Sequence, residues 1–237
     1  MSNSKLVSHT RISPNKSAPR NHAIDTVTVH CVVGQCSVET LGNIFSNPNK
    51  QASSNYGIGY DGRVGMYVEE CDRSWCSSSS DNDNRAITIE VASETVEPYA
   101  VNDKAYKALI DLLVDICQRN GIAKLVWADS KDNRVNHRNG CNMTVHRDYA
   151  NKSCPGEYLY SRMGEIAEKV NRILEGSADR YQSIEDVPKW AKAETQELID
   201  LGALRGKGDE LGLDVTEDML RTMIINLRAT KTLISGK

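Results

Sequence analysis

Two short runs of strict alternation constrain this 237-residue chain more than any other feature. In the stretch Ile24–Cys31, Val27, Val29 and Cys31 share one parity, and Thr26, Thr28 and His30 share the other. In Ile87–Ala92, Ile87, Ile89 and Val91 alternate with Thr88, Glu90 and Ala92. A period of two is the mark of a strand whose faces meet different surroundings. Both runs therefore predict strands with an aliphatic face toward a core and a second face that carries a histidine and a glutamate. A ligand or an acid–base group needs such a polar face, and a core histidine does not.

The elements around these strands read as an alternation of strand and helix. Ser37 is placed to cap a short helix with Leu41, Ile44 and Phe45 as its packing residues. Asp61-Gly62 joins Ser53–Tyr60 to Val64–Glu70 in a hairpin pattern. Asn102–Asn120 spaces Ala105, Ala108, Leu109, Leu112, Leu113 and Ile116 as one helical face, with Gly121 just past its end. Leu125–Ala128 reads as a short buried strand. Leu159, Met163, Ile166, Val170 and Ile173 describe one more helix, begun by Pro155. Residues 1–23 read as an irregular arm holding His9 and His22 in solvent, and Cys71–Asn84 as a loop. Within that loop Trp75 is either a local anchor or a surface for stacking. Asp129–Gly140 is a charged loop whose Arg134, His137 and Arg138 are placed to border a cleft.

Chemistry concentrates in Met143–Gly156, which gathers His146, Lys152 and Cys154 in one polar loop. A histidine nitrogen and a thiolate suit zinc, and His30 is the best-placed third ligand among five histidines, leaving one coordination position open. The same residues admit other readings. A Cys before Pro-Gly can be a small buried hydrophobe. Cys154 can also be a nucleophile, with His146 as base and Lys152 lowering the thiol pKa, as in a cysteine peptidase.

The sequence H-R-D-Y-A-N-K-S-C-P-G, with seven residues between His146 and Cys154 and with Lys152 two places before the Cys, resembles the metal motif of the zinc N-acetylmuramoyl-L-alanine amidases. That superfamily includes phage amidase-type lysozymes and peptidoglycan recognition proteins. The likeness runs over roughly residues 20–175 through V-T-V-H-C, S-S-N-Y-G-I-G-Y-D-G-R-V and I-T-I-E-V-A, in the same order. It implies an α/β fold, a central mixed sheet flanked by helices with a zinc cleft. It also implies Zn2+ on His30, His146 and Cys154, Glu90 and Lys152 as catalytic residues, bacterial peptidoglycan as substrate, and Asn55, Trp75 and Arg138 as substrate contacts. Ser54 stands where several members carry a tyrosine that contributes to catalysis, and Tyr56 is two places off, so Glu90 is left as the general base. Some members bind peptidoglycan fragments without cutting them, which gives the alternative of a recognition module.

Formal net charge is −3 and the sequence pI is about 6.0, which argues against nucleic acid or an anionic membrane surface as partner. The first residues lack an apolar signal segment and no run suits a membrane span, so synthesis in the cytoplasm is expected. The resemblance to phage lysins then implies release to the wall through a holin-type lesion. Seven cysteines, an odd number, are expected as thiols. The break at Glu175–Arg180 divides a catalytic domain, 1–175, from a small helical module, 176–237. Its D-V-P-x-W-A…L-I-D-x-G-A-L-x-G pattern resembles C-terminal modules of cell-wall lysins. Wall binding or self-association as a homodimer is the expected role.

Overall fold

The computed structural model describes residues 2–176, 180–205 and 213–235. The middle of the domain break, Ser177–Asp179, and Gly206 of the tail pattern lie outside them. The chain forms two compact units, Met1–Leu174 and Glu175–Lys237.

The first unit is built on a six-stranded mixed sheet. Its strands are β1 (Val7–Thr10), β3 (Thr26–Cys31), β4 (Tyr56–Ile58), β5 (Val64–Met66), β7 (Ala86–Val91) and β8 (Met143–Val145), in the spatial order β1-β5-β4-β7-β3-β8. Only β4 and β5 run antiparallel, around the expected Asp61-Gly62 turn. The other pairings are parallel. A two-stranded ribbon joins β2 (Lys16–Ser17) to β6 (Arg73–Ser74).

The aliphatic parity of β3 and β7 enters one core with helices α3 (Asp103–Asn120) and α6 (Met163–Leu174), whose Leu109, Leu112, Ile116, Ile166 and Val170 are fully buried. Helix α3 begins at the cap Asn102, whose side chain accepts from the Ala105 N–H. It ends at Gly121 with φ 68°, a left-handed turn that a side chain disfavours. Helix α1 (Val38–Phe45) is capped by Ser37, and it sets Leu41 and Phe45 against Tyr67.

Four expectations are corrected. The N-terminal arm contains β1, an edge strand paired with β5, whose exposed alternate residues Ser8 and Thr10 hide the aliphatic signal. Leu125–Ala128 is not a strand, because its backbone is met by amide side chains. Asn171 bonds both the N–H and the carbonyl of Leu125, and Asn142 accepts from the Val126 N–H. The Cys71–Asn84 stretch holds β6 and the start of helix α2 (Ser80–Arg85), capped by Ser79. Two short helices follow it in the chain, α4 (Lys131–Val135) and α5 (Gly156–Tyr160), and the latter is separated from α6 by a turn at Ser161-Arg162.

The second unit pairs α7 (Lys189–Asp200) with α8 (Glu217–Ser235) beside a ribbon of β9 (Arg180–Tyr181) and β10 (Val215–Thr216). Val187, Ala191, Leu198, Leu220 and Ile224 are among its core residues. The Thr216 hydroxyl accepts from the Met219 N–H at the start of α8. No helix among the described residues is long and apolar enough to cross a membrane.

Candidate metal centre

The polar parity of the sheet is as well organised as the aliphatic one. Thr28 on β3 pairs in register with Thr88 on β7 and Thr144 on β8. The Thr28 and Thr144 hydroxyls lie 2.8 Å apart, and Asn82 of α2 bridges them by donating to Thr28 (2.9 Å) and accepting from Thr144 (3.0 Å). Thr88 is held by the Ser74 hydroxyl at 2.7 Å and by Asn55. One rung further along, His30 stands in register with Glu90.

Strand β8 delivers the remaining groups. His146–Asp148 forms a single 3-10 turn, fixed because Asp148 accepts from the Val145 N–H and makes a buried ion pair with Arg134. Arg134 in turn lies over the Trp127 ring, 4.3 Å from its centroid, and donates to the Ala128 and Asp129 carbonyls. The loop then closes on itself, with the Arg147 N–H donating to the Cys154 carbonyl and the Arg147 guanidinium to that of Ser153. Gly156 sets the exit. Its φ is 78°, and a Cβ there would sit 2.7 Å from the Tyr99 ring and 2.9 Å from the Pro98 carbonyl oxygen.

These supports bring His30, His146 and Cys154 together, with one donor atom from each lying within 4.8 Å of the others. Cys154 Sγ is 3.5 Å from His30 Nδ1, and the two imidazole centroids are 4.9 Å apart. A second trio, His30, Cys76 and Glu90, meets the same criterion. Ser78 Oγ lies 3.1 Å from His146 Nε2, and Cys76 Sγ lies 4.0 Å from Glu90 Oε1. His30 Nε2 and Glu90 Oε2 are sealed from solvent without a hydrogen-bond partner.

The electrostatics follow from burial. Burial, with the neighbouring His146, holds His30 down to about 3, so its imidazole is neutral and offers a lone pair. His146 is lowered by burial and then by the charge of Lys152. Burial, followed by Cys31, pushes Glu90 up to about 8. The Cys154 thiol is pushed up by its hydrogen bond with Cys31, by burial and by Glu90. Lys152, expected to lower that thiol, acts instead on His146.

Residues 20–157 match the family model described as N-acetylmuramoyl-L-alanine amidase. The chain belongs to that family. The reaction of the family is hydrolysis of the amide between N-acetylmuramic acid and L-alanine in peptidoglycan, and its members are typically zinc-dependent. No curated protein sequence is significantly similar to this amidase. Among solved structures, the fold resembles Staphylococcus aureus hydrolase AmiA in complex with its ligand, at TM-score 0.55 and 16% identity over 75% of this chain and 88% of that one. It also resembles PlyL, at TM-score 0.51 and 16% identity over 72% and 97%. A mutant endolysin from Bacillus subtilis matches at TM-score 0.50 and 14% identity over 68% and 97%.

In this amidase the remaining expected residues fall in different places. Trp75 is half-buried and shares with His146 a cleft of about 370 Å³, lined also by Arg73, Cys76, Ser78 and Asp83. Lys152 is exposed and lines a second cleft of about 360 Å³ with Lys131, Arg147 and Tyr149. Asn55 is corrected: it is fully buried, and its amide donates to the Val68 and Glu69 carbonyls, so its polar atoms are spent on the backbone. Arg138 is exposed and ion-paired with Asp132. Arg134, placed by the sequence at the cleft border, is buried beneath the His146 turn.

Ser54 and Tyr56 are both fully buried, and the Tyr56 hydroxyl donates to Glu70. His22 is exposed as expected, whereas His9 is half-buried, with Nε2 sealed from solvent against Gly42. His137 bonds the Cys141 carbonyl. Ser78, Cys76 and Cys31 were not singled out for the site by the sequence. The serine run 77–80 carries no periodic signal, and only the left-handed backbone at Ser78, φ 68°, sets it apart.

Proposed function

We propose that this amidase holds zinc on His30, His146 and Cys154, with Glu90 as proton carrier and Lys152 facing the developing oxyanion. The convergence of three donors of the right kind within 4.8 Å carries the reading. Two further features support the fit. His30 is neutral with a buried nitrogen that no protein group meets, and Glu90 Oε2 beside it is likewise unmet. Zinc bound there supplies Lewis acidity, polarising the scissile carbonyl and bringing water within reach of deprotonation near neutral pH.

The chain's own groups do the rest. Ser78 Oγ engages His146 Nε2, which leaves Nδ1 as that ring's donor. Glu90 accepts the proton of the attacking water and passes it to the leaving amine nitrogen. A cation held by the neighbouring ligands favours the carboxylate form that this role needs. Lys152, exposed and felt by His146 through its charge, takes the role of steadying negative charge on the carbonyl oxygen in this reading. Trp75 offers an aromatic face to a sugar or peptide in the adjoining cleft.

The test is metal analysis of the purified chain together with cleavage of a muramoyl peptide. One zinc per chain and activity abolished by a chelator are expected. Activity that survives chelation and falls to a thiol alkylator would move the chemistry to Cys154 as nucleophile. Zinc binding with no cleavage would make the protein a recognition module.

A further inference from the structure

Cys31 has no part in the chemistry proposed above, yet it touches the one thiol among the three metal ligands. It is the last residue of β3, adjacent in sequence to His30, and 5% exposed. Its backbone N–H donates to Cys154 Sγ at 3.4 Å, and Cys154 packs against the core cluster that contains Cys31. Cys154 itself is half-buried, so a small solute reaches it before Cys31. A disulfide needs the two sulfurs at roughly 2.05 Å, so the bridge forms by a further approach of the two neighbouring side chains.

We propose that Cys31 and Cys154 are a thiol pair that a hydroperoxide oxidises to a disulfide, withdrawing Cys154 from the metal site. The Cys154 sulfur attacks one peroxide oxygen, the O–O bond breaks, and hydroxide leaves to take up a proton as water. The Cys31 sulfur then attacks the sulfur of the resulting sulfenic acid. The S–O bond breaks, and the second hydroxide leaves with the Cys31 proton as water. Two thiols and one hydrogen peroxide thus give one disulfide and two waters. Two histidines remain, too few to retain zinc. Without Cys31 the sulfenic acid has no resolving partner at hand and proceeds to the sulfinic acid, which thiols do not reverse.

This consequence for the metal rests on Cys154 being a ligand, as proposed above. The zinc-loaded full chain is therefore treated with hydrogen peroxide while zinc release is followed with a chromophoric chelator, intact mass is measured, and peptides are mapped without reduction. The wild type should lose two hydrogen masses, yield a peptide joining Cys31 to Cys154, release its zinc, and regain activity on dithiothreitol plus zinc. Cys31→Ser and Cys31→Ala should show unchanged activity before oxidation, gain oxygen mass at Cys154, and stay inactive after dithiothreitol. A bridge that joins Cys154 to Cys76 or Cys36 overturns the pairing, as does equal and equally reversible loss in the Cys31 variants. If the bridge forms in a protein that binds no zinc, the metal reading fails and the thiol pair stands.

Discussion

Two neighbouring rungs of one ladder, Thr28 with Thr88 and His30 with Glu90, lie on the same polar face of the same strands and end in opposite ways. The threonine rung is closed. Thr28 is met by Thr144 and Asn82, and Thr88 by Ser74 and Asn55. The next rung is open, with His30 Nε2 and Glu90 Oε2 sealed from solvent and unpartnered. An unmet buried polar atom costs about 1–3 kcal/mol, so a rung left open beside a closed one marks where something other than the protein completes the bonding. What distinguishes the two rungs is thus unsatisfied polarity, since both are polar and both hold buried side-chain atoms.

The largest effect should come from emptying the open rung. His30→Ala, and equally His146→Ala or Cys154→Ala, should lose bound zinc and turnover together, as measured by elemental analysis and muramoyl-peptide cleavage. Stoichiometric zinc in Cys154→Ala would break the assignment. Glu90→Gln should keep its zinc and lose turnover by a factor on the order of 10² or more. A near wild-type rate in that variant would reduce Glu90 to a bystander.

The open rung should also govern the pH dependence of stability in the metal-free protein. His30, held down to about 3 from 6.5, binds fewer protons folded than unfolded, so its contribution grows as pH rises through that window. Glu90, pushed up to about 8 from 4.5, binds more protons folded, so its contribution is present below 4.5 and lost as pH rises to 8. Denaturant titrations should therefore find this pair most favourable at roughly pH 4.5–6.5, and Glu90→Gln should remove the decline above that range. An unaltered decline would assign it to other groups. The closed rung should give the smallest effect: Thr28→Val should cost about 1 kcal/mol for each hydrogen bond lost, with zinc content and turnover intact. A loss of zinc in that variant would show the two rungs to be one unit.

Much of this was legible before any coordinates. Strand parity alone put His30 and Glu90 on a common polar face, because alternation is a local property of the chain. The resemblance supplied His146 and Cys154 as partners across more than a hundred residues, which no local pattern reports. What stayed hidden depends on contacts made at a distance. Leu125 has strand-like neighbours in sequence, but its bonds go to the Asn171 side chain. Asn55 sits in a motif shared with the amidases, but its amide was already committed to the backbone. Residues Val7–Thr10 are too few and too polar for their period to be seen.

The position of β8 carries one more consequence. It is the last strand of the sheet in sequence, it pairs among the described residues with β3 alone, and the groups it brings to His30 lie 124 residues away at Cys154. A contact of that separation closes late, after the entropy of the long intervening loop has been overcome by nearer pairings. During synthesis from the N-terminus, His30 is therefore made long before the residues proposed to share its metal. On the proposed ligand set, the growing chain holds no complete centre until Cys154 has emerged and β8 has docked, so the capacity to cut would arrive only with the closing of this unit.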